Sequence, residues 1–323
     1  MKRLIYISLV LLALCSCEVD VTDEFRNQQP LFVVSGQFVA DGVPRINLSK
    51  TITMTTLDSL MLLDNAQVEV GCRGQTYLLG GEGKGCYRNE NLVPAPGDEL
   101  KISCSGEGLP TASVQTMIPE LPVVRGVDFR VDENFDFVLD LHFEDPALTE
   151  DYYEFYLSGW RMEICKSYED GELVQVDTST VYQNYGVRML DPVMEYEGSY
   201  GNYEAFNMAS PFGTQFIFSD VQINGTDHTL SVTHNLKWIY NDSIPELHVH
   251  LVKKDVHFYN FITTYMHYDP YPDQDFLQPV QVYSNVDNGF GLITSESMVV
   301  DTIDLSQWYY DPDFLELLKN PEE

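Results

Sequence analysis

The sequence predicts a mainly β protein, with a small N-terminal sandwich followed by a larger antiparallel β domain carrying one short helix. Three observations lead there. From Leu31 onward, short segments alternating apolar and polar residues recur between clusters of Gly, Pro, Asn and Asp. The stiff stretch Pro119-Glu-Leu-Pro122 divides that series in two. Residues 256–268 carry apolar side chains at helical spacing behind a capping residue, Asp255.

The first element lies outside the fold. Lys2 and Arg3 precede the apolar run Leu4–Leu14, too short to span a bilayer but suited to a signal peptide. The run ends Leu14-Cys15-Ser16-Cys17, which resembles a bacterial lipobox. Ser16 is small in the position before Cys17, whereas Cys15 would have Leu14 there. The sequence therefore predicts a signal peptide over 1–16, lipidation of Cys17 and a polar tether over 17–30. No later apolar run is long enough to span a bilayer, so the membrane is reached through the lipid alone.

The first sandwich is read over 31–119. Its strands are Leu31–Gly36, Val43–Ser49, Ala66–Val70, Thr76–Leu79, a strand beginning at Cys86, Glu99–Ser103 and Thr111–Ile118. Asp41-Gly42, Gly80–Gly85 and Pro94–Gly97 are the turns between them. This spacing fits an Ig- or transthyretin-like sandwich of the carboxypeptidase-regulatory kind. The second domain is read over 123–323. Phe137, Leu139, Leu141 and Phe143 form one face of a strand, and Tyr152–Cys165 and Leu173–Val181 are long strands or hairpin arms. Residues 183–211, rich in Tyr, Gly and Asn, read as a long loop. Strands return at 214–218, 229–233 and 247–252, then the helix with Phe258, Phe261, Ile262 and Tyr265 on one stripe. Further strands follow at 279–283 and around 290–303, and Asp313–Lys319 can form a short helical tail.

Charge excludes some functions. Among 323 residues, 50 are Asp or Glu and 18 Lys or Arg, a net charge of −32. Such a surface repels phosphate backbones, so no nucleic-acid partner is expected. The chain contains no GxSxG elbow, HExxH pair or phosphate-cradling GxxxxGK[ST] motif. No enzymatic activity and no cofactor are predicted.

Two sets of residues are candidates for binding. Tyr182, Tyr185, Tyr196, Tyr200 and Tyr203, interleaved with Gly, Asn and Glu, offer broad apolar contact with a hydroxyl at modest entropic cost. They suit a small nutrient, a peptide or a glycan, or they pack the loop onto the β core. Trp308-Tyr309-Tyr310 has the same two readings. His248 and His250 share one strand face and can share a metal if folding brings another ligand; a hydrogen-bonded strand pair is the plainer reading. His257 and His267 fall on different faces of the helix. Of Cys72, Cys86, Cys104 and Cys165, the first three lie on neighbouring strands. One bridge among these three and buried free thiols both fit, and spacing does not choose the pairing.

The lipobox, the Ig-like strand set and Pro279-Val-Gln-Val-Tyr-Ser-Asn285-Val-Asp-Asn288-Gly289-Phe-Gly291 together resemble the Bacteroidota lipoproteins of the domain-of-unknown-function 4249 family. Leu31–Gly36, Leu48-Ser49, the Pro94–Gly97 turn and the Val256–Phe261 helix extend the resemblance over roughly 17–305. Gly291-Leu-Ile departs from a glycine–aromatic pair frequent in the family. The acidic stretch Glu18–Glu24 resembles the surface-export signal of such lipoproteins. The resemblance implies a lipid-anchored outer-membrane protein exposed at the cell surface, encoded beside TonB-dependent receptors and serving them as a non-catalytic accessory. The alternatives are an adhesive surface protein that binds host or matrix, and a metal- or siderophore-linked binder using His248 and His250. Asn285 and Gly289 read as turn residues needing positive φ rather than as a site.

Overall fold

The structure, a computed structural model, describes residues 29–52, 61–131, 136–169, 172–195, 200–201, 212–235, 246–266 and 281–306. Among the described residues the elements are strands, two short 3₁₀ turns and one α-helix. The first eight strands are β1 (Phe32–Val39), β2 (Arg45–Lys50), β3 (Met61–Leu62), β4 (Gln67–Cys72), β5 (Gln75–Gly83), β6 (Cys86–Arg88), β7 (Glu99–Gly106) and β8 (Leu109–Met117). They form the predicted sandwich. β1, β2 and β6 make one layer, and β4, β7 and β8 the other. β5 belongs to both: its half up to Leu79 pairs with β4, and from Gly80 it pairs with β6. Period-2 alternation fills the space between the layers, with Phe32, Val34, Ile46 and Leu48 facing Val68, Val70, Leu100 and Ile102. Burying each such side chain stabilises the fold by about 1.5–3 kcal/mol.

The second part contains β9 (Val123–Val131), β10 (Asp136–Glu144), β11 (Tyr152–Glu169), β12 (Glu172–Tyr185), β13 (Val187–Met189), β14 (Tyr200–Gly201), β15 (Phe212–Gly213), β16 (Phe216–Ser219), β17 (Asp227–Asn235), β18 (Glu246–Lys254), helix α1 (Val256–Met266) and β19 (Gly289–Asp304). One layer runs β15-β13-β17-β10-β9; the facing layer runs β14-β16-β11-β18-β19, with β12 paired to β11. Phe137, Leu139, Leu141 and Phe143, the face read from sequence, are buried in the core against Tyr153, Phe155, Phe216 and Leu251. Helix α1 lies on the opposite face of that layer, where Ile262, Phe258 and Phe261 cover Ile217 of β16. Asp255 caps it, accepting a hydrogen bond from the Phe258 amide at 2.8 Å.

β19 joins the two parts. Its first half, Gly289–Glu296, pairs parallel with β1, and its second, Glu296–Asp304, pairs antiparallel with β18. Ile293 thereby enters the core of the first sandwich. Gly291 has φ +114°, and a Cβ there would collide with the Val34 carbonyl, so the position requires glycine. Asn285 and Gly289, read as needing positive φ, lie outside that region; the neighbouring Asn288, with φ +54°, adopts it. Asn285 acts through its side chain instead, accepting from the Ile293 amide at 3.1 Å and donating to its carbonyl at 2.7 Å.

The 183–211 loop also needs correction. β12 continues through Tyr182 and Tyr185, because the long arm of β11 before it pairs with it that far, and Val187–Met189 is already β13, paired with β17. Cys72, Cys86 and Cys104 are free thiols, so the bridge considered among them is not formed. Burial pushes the Cys104 thiol up to about 12. The side chain of Cys165 lies outside the described residues, as do Cys17, Tyr196, Tyr203, His267 and 308–310. Tyr200 is described by its backbone, on β14.

Candidate functional site

Two places combine accessibility with organised polar groups. The first is the outer face of β11, β12 and β18, turned away from the core. Strand alternation puts Leu247, Val249 and Leu251 inward and therefore His248 and His250 outward. The β11–β18 register sets Tyr156 opposite His250 and Ser158 opposite His248. The β11–β12 register sets Trp160 opposite Tyr182. A chain of hydrogen bonds follows. His250 Nε2 lies 2.6 Å from Ser158 Oγ, Ser158 Oγ 2.5 Å from Tyr182 Oη, and Tyr182 Oη 2.8 Å from His248 Nδ1. The His250 ring stacks on Tyr156, centroids 4.2 Å apart, and the Trp160 ring stands edge-on to Tyr182 at 5.0 Å. Trp160 is 51% exposed and Tyr182 43%, whereas Ser158 is fully buried. The patch is an open aromatic pair over a closed polar floor.

Burial, reinforced by neighbouring His248, pushes His250 down to about 4, so its ring is neutral at physiological pH. Burial also lifts the Tyr156 phenol to about 12. This chemistry positions and hydrogen-bonds. Ser158 is too enclosed to reach a substrate, so the Ser–His contact is not an exposed nucleophile.

Sequence reasoning named Tyr182 apart from the His248–His250 pair; the fold brings the three into one chain of contacts. Tyr185 lies further along β12 and packs toward the core of the second part. As for metal, each histidine gives one nitrogen to a protein hydroxyl, and among the described residues no group of three His, Cys, Asp or Glu ligands includes them. The one such group is Asp145, Asp151 and Asp220, whose carboxylate oxygens lie within 4.8 Å of one another. These are ligands of the kind hard cations take, yet protein donors already answer them. Tyr153 Oη donates to Asp145 at 2.7 Å, the Asp151 amide to Asp220 at 2.9 Å, and Lys253 Nζ sits 2.6 Å from Asp151. Burial raises the carboxyl groups of Asp145 and Asp220 above the usual range.

The second place is a cleft of about 520 Å³ between the two parts. One wall is β7 and β8 with Pro119 and Glu120; the other is Thr149–Tyr152, the end of β18 and the start of α1. Nothing local in the sequence marked it, because its walls come from three separate stretches of the chain, 99–120, 149–152 and 253–257. Its floor is polar and buried. Thr116 Oγ1 of β8 donates to Asp255 at 2.8 Å, and the Ser295 amide donates to the same carboxylate at 2.8 Å. Ser295 and Ser297 hydroxyls donate to the carbonyls of Met117 and Glu120, at 2.6 and 2.8 Å. Beside this seam Lys254 Nζ lies between Glu154, 2.7 Å away, and Glu296, and 4.6 Å from the centroid of the Phe258 ring. Burial alone would lower the Lys254 ammonium's pKa, but the two carboxylates hold it above the ordinary lysine range.

This architecture, two β-sandwiches sharing one long strand, defines a two-part β protein with a cleft at the junction. The chain belongs to the family described as domain of unknown function DUF4249, whose model matches residues 17–299. A comparison with curated proteins finds no match. Among solved structures, the FN1–FN3 domains of chicken CNTN1 match at 10% identity over 70% of this chain and 62% of that one, TM-score 0.23. Chitinase ChiA74 from Bacillus thuringiensis matches at 7% identity over 65% of this chain and 27% of that one, TM-score 0.18. The chain thus spans less than two thirds of either, and likeness at this level carries no argument about activity.

Proposed function

We propose that the chain is a lipid-anchored outer-membrane protein that captures a ligand without chemical conversion and presents it to a TonB-dependent receptor. Ser16-Cys17 behind the apolar run supports the anchor. The observation that carries capture is the exposed Trp160–Tyr182 pair, in which the Tyr182 hydroxyl is anchored by hydrogen bonds to Ser158 and His248. Aromatic side chains fixed in this way supply contact area without paying rotamer entropy on binding. Tethering at Cys17 raises effective concentration at a neighbouring receptor, so capture need not be tight.

The test is a mild-detergent pull-down of the tagged protein from native membranes, with mass spectrometry of what accompanies it. A stoichiometric receptor barrel is the expected result, retained or reduced in the Trp160→Ala/Tyr182→Ala variant according to whether the patch faces ligand or barrel. A monomer, in a preparation where known complexes survive, would overturn the reading in favour of the adhesive role. Cys17→Ser should release the chain from the membrane fraction.

A further inference from the structure

The cleft at the junction has a charge balance that its overall polarity hides. Both lysines in its floor are already matched, Lys253 by Asp151 and Lys254 by Glu154 and Glu296. Toward solvent the rim carries Glu99, Glu120 and Glu150 against one lysine, Lys101, and all four side chains are exposed. The matched floor and the unmatched rim together leave the cleft electronegative, in a chain whose net charge is −32. Of its remaining lining, Met117 and Val256, 54% and 42% exposed, are apolar together with Leu100, Pro119 and Tyr152, while Gln115, Thr149 and His257 add polar edges. A volume of about 520 Å³ is larger than one amino-acid side chain requires and falls within the about 300–1,000 Å³ of ligand sites.

The walls are also fixed relative to each other. Three hydrogen bonds, Thr116 to Asp255, Ser295 to the Met117 carbonyl and Ser297 to the Glu120 carbonyl, tie the β8 wall to the second part, and the Ser295 amide also donates to Asp255. A ligand therefore meets a preformed cavity and does not have to order it.

We infer that this cleft binds a short peptide in which an apolar residue neighbours a lysine or arginine, the apolar side chain against Met117, Val256 and Tyr152 and the cation among Glu99, Glu120 and Glu150. The site is separate from the aromatic patch and does not depend on it.

Calorimetric titration of the full chain in mild detergent tests this. The probes are the blocked tripeptide Leu-Arg-Leu amide and its analogue with citrulline, which keeps the shape of arginine and removes its charge. Binding of the arginine peptide is expected, with citrulline at least tenfold weaker. The E99Q/E120Q/E150Q variant, altered only at exposed side chains, should lose at least tenfold in affinity for the arginine peptide while its melting temperature holds. Trp160→Ala should leave this binding unchanged, which separates the inference from capture at the aromatic patch. No binding of the arginine peptide, equal binding of both probes, or full affinity in the triple variant would each overturn it.

Discussion

Along the outer face of β18, His248 and His250 stand at one end and Lys254 at the other, and the two ends bury polar groups by opposite means. The histidine end is neutral. His250 loses its charge, and hydroxyls of Ser158 and Tyr182 link it to His248. The lysine end stays charged, flanked by Glu154 and Glu296 and covered by Phe258 of α1. The difference follows from what each end meets. At the lysine end β19 delivers Glu296 just where the two sandwiches join, so a counter-charge is present. At the histidine end β19 offers Val300 opposite His250, and shedding the proton is the cheaper solution.

Removing charge at the lysine end should give the largest effect. Lys254→Met leaves Glu154 and Glu296 buried together without a cation and should cost about 3–5 kcal/mol in urea unfolding. A loss below about 1 kcal/mol would mean that water reaches both carboxylates and the two ends are less different than described. Asp255→Ala comes next, at about 2 kcal/mol, since it removes a helix cap and the acceptor of the junction. Hydrogen exchange should quicken in α1 and in β8 together; a change confined to α1 would show that the junction stands without it.

The histidine end should reveal itself through pH. His250 titrates at about 4 when folded against 6.5 ordinarily, so between those values the unfolded chain takes up a proton that the folded chain refuses. Its contribution to stability is intact above pH 6.5 and is lost as pH falls toward 4. Subtracting the stability–pH curve of His250→Gln from that of the parent should isolate this slope; a flat difference would place a charged His250 in the fold. Tyr182→Phe is the smallest change, about 0.5–1 kcal/mol, because its hydroxyl is near solvent and water can replace part of what it gives up. A larger loss would show that the Ser158–His248 link is held through Tyr182 alone.

Features with short-range causes were legible in the sequence. The β10 face Phe137–Phe143 came from alternation, and Asp255 with the Phe258–Ile262 stripe came from capping and helical period. The shared face of His248 and His250 also followed from period 2. What stayed hidden depends on pairing over long separations. Tyr182 meets His248 across 66 residues, and Thr116 meets Asp255 across 139. Alternation says which side of a strand is apolar but not which strand lies beside it, so the cleft and both polar networks had no local signature. Asn285 was read as a turn former because its type suits turns, whereas its amide substitutes for a missing strand neighbour of Ile293.

The parallel pairing of β1 with β19 also sets an order of events during synthesis. Phe32–Val39 leaves the ribosome about 250 residues before the partner for one of its edges, Gly289–Glu296. Until then the first sandwich lacks Ile293 from its core and presents an open strand edge of the kind that templates aggregation. A nascent chain of this design cannot finish its leading half first. Its first core is complete only once both halves close on one strand.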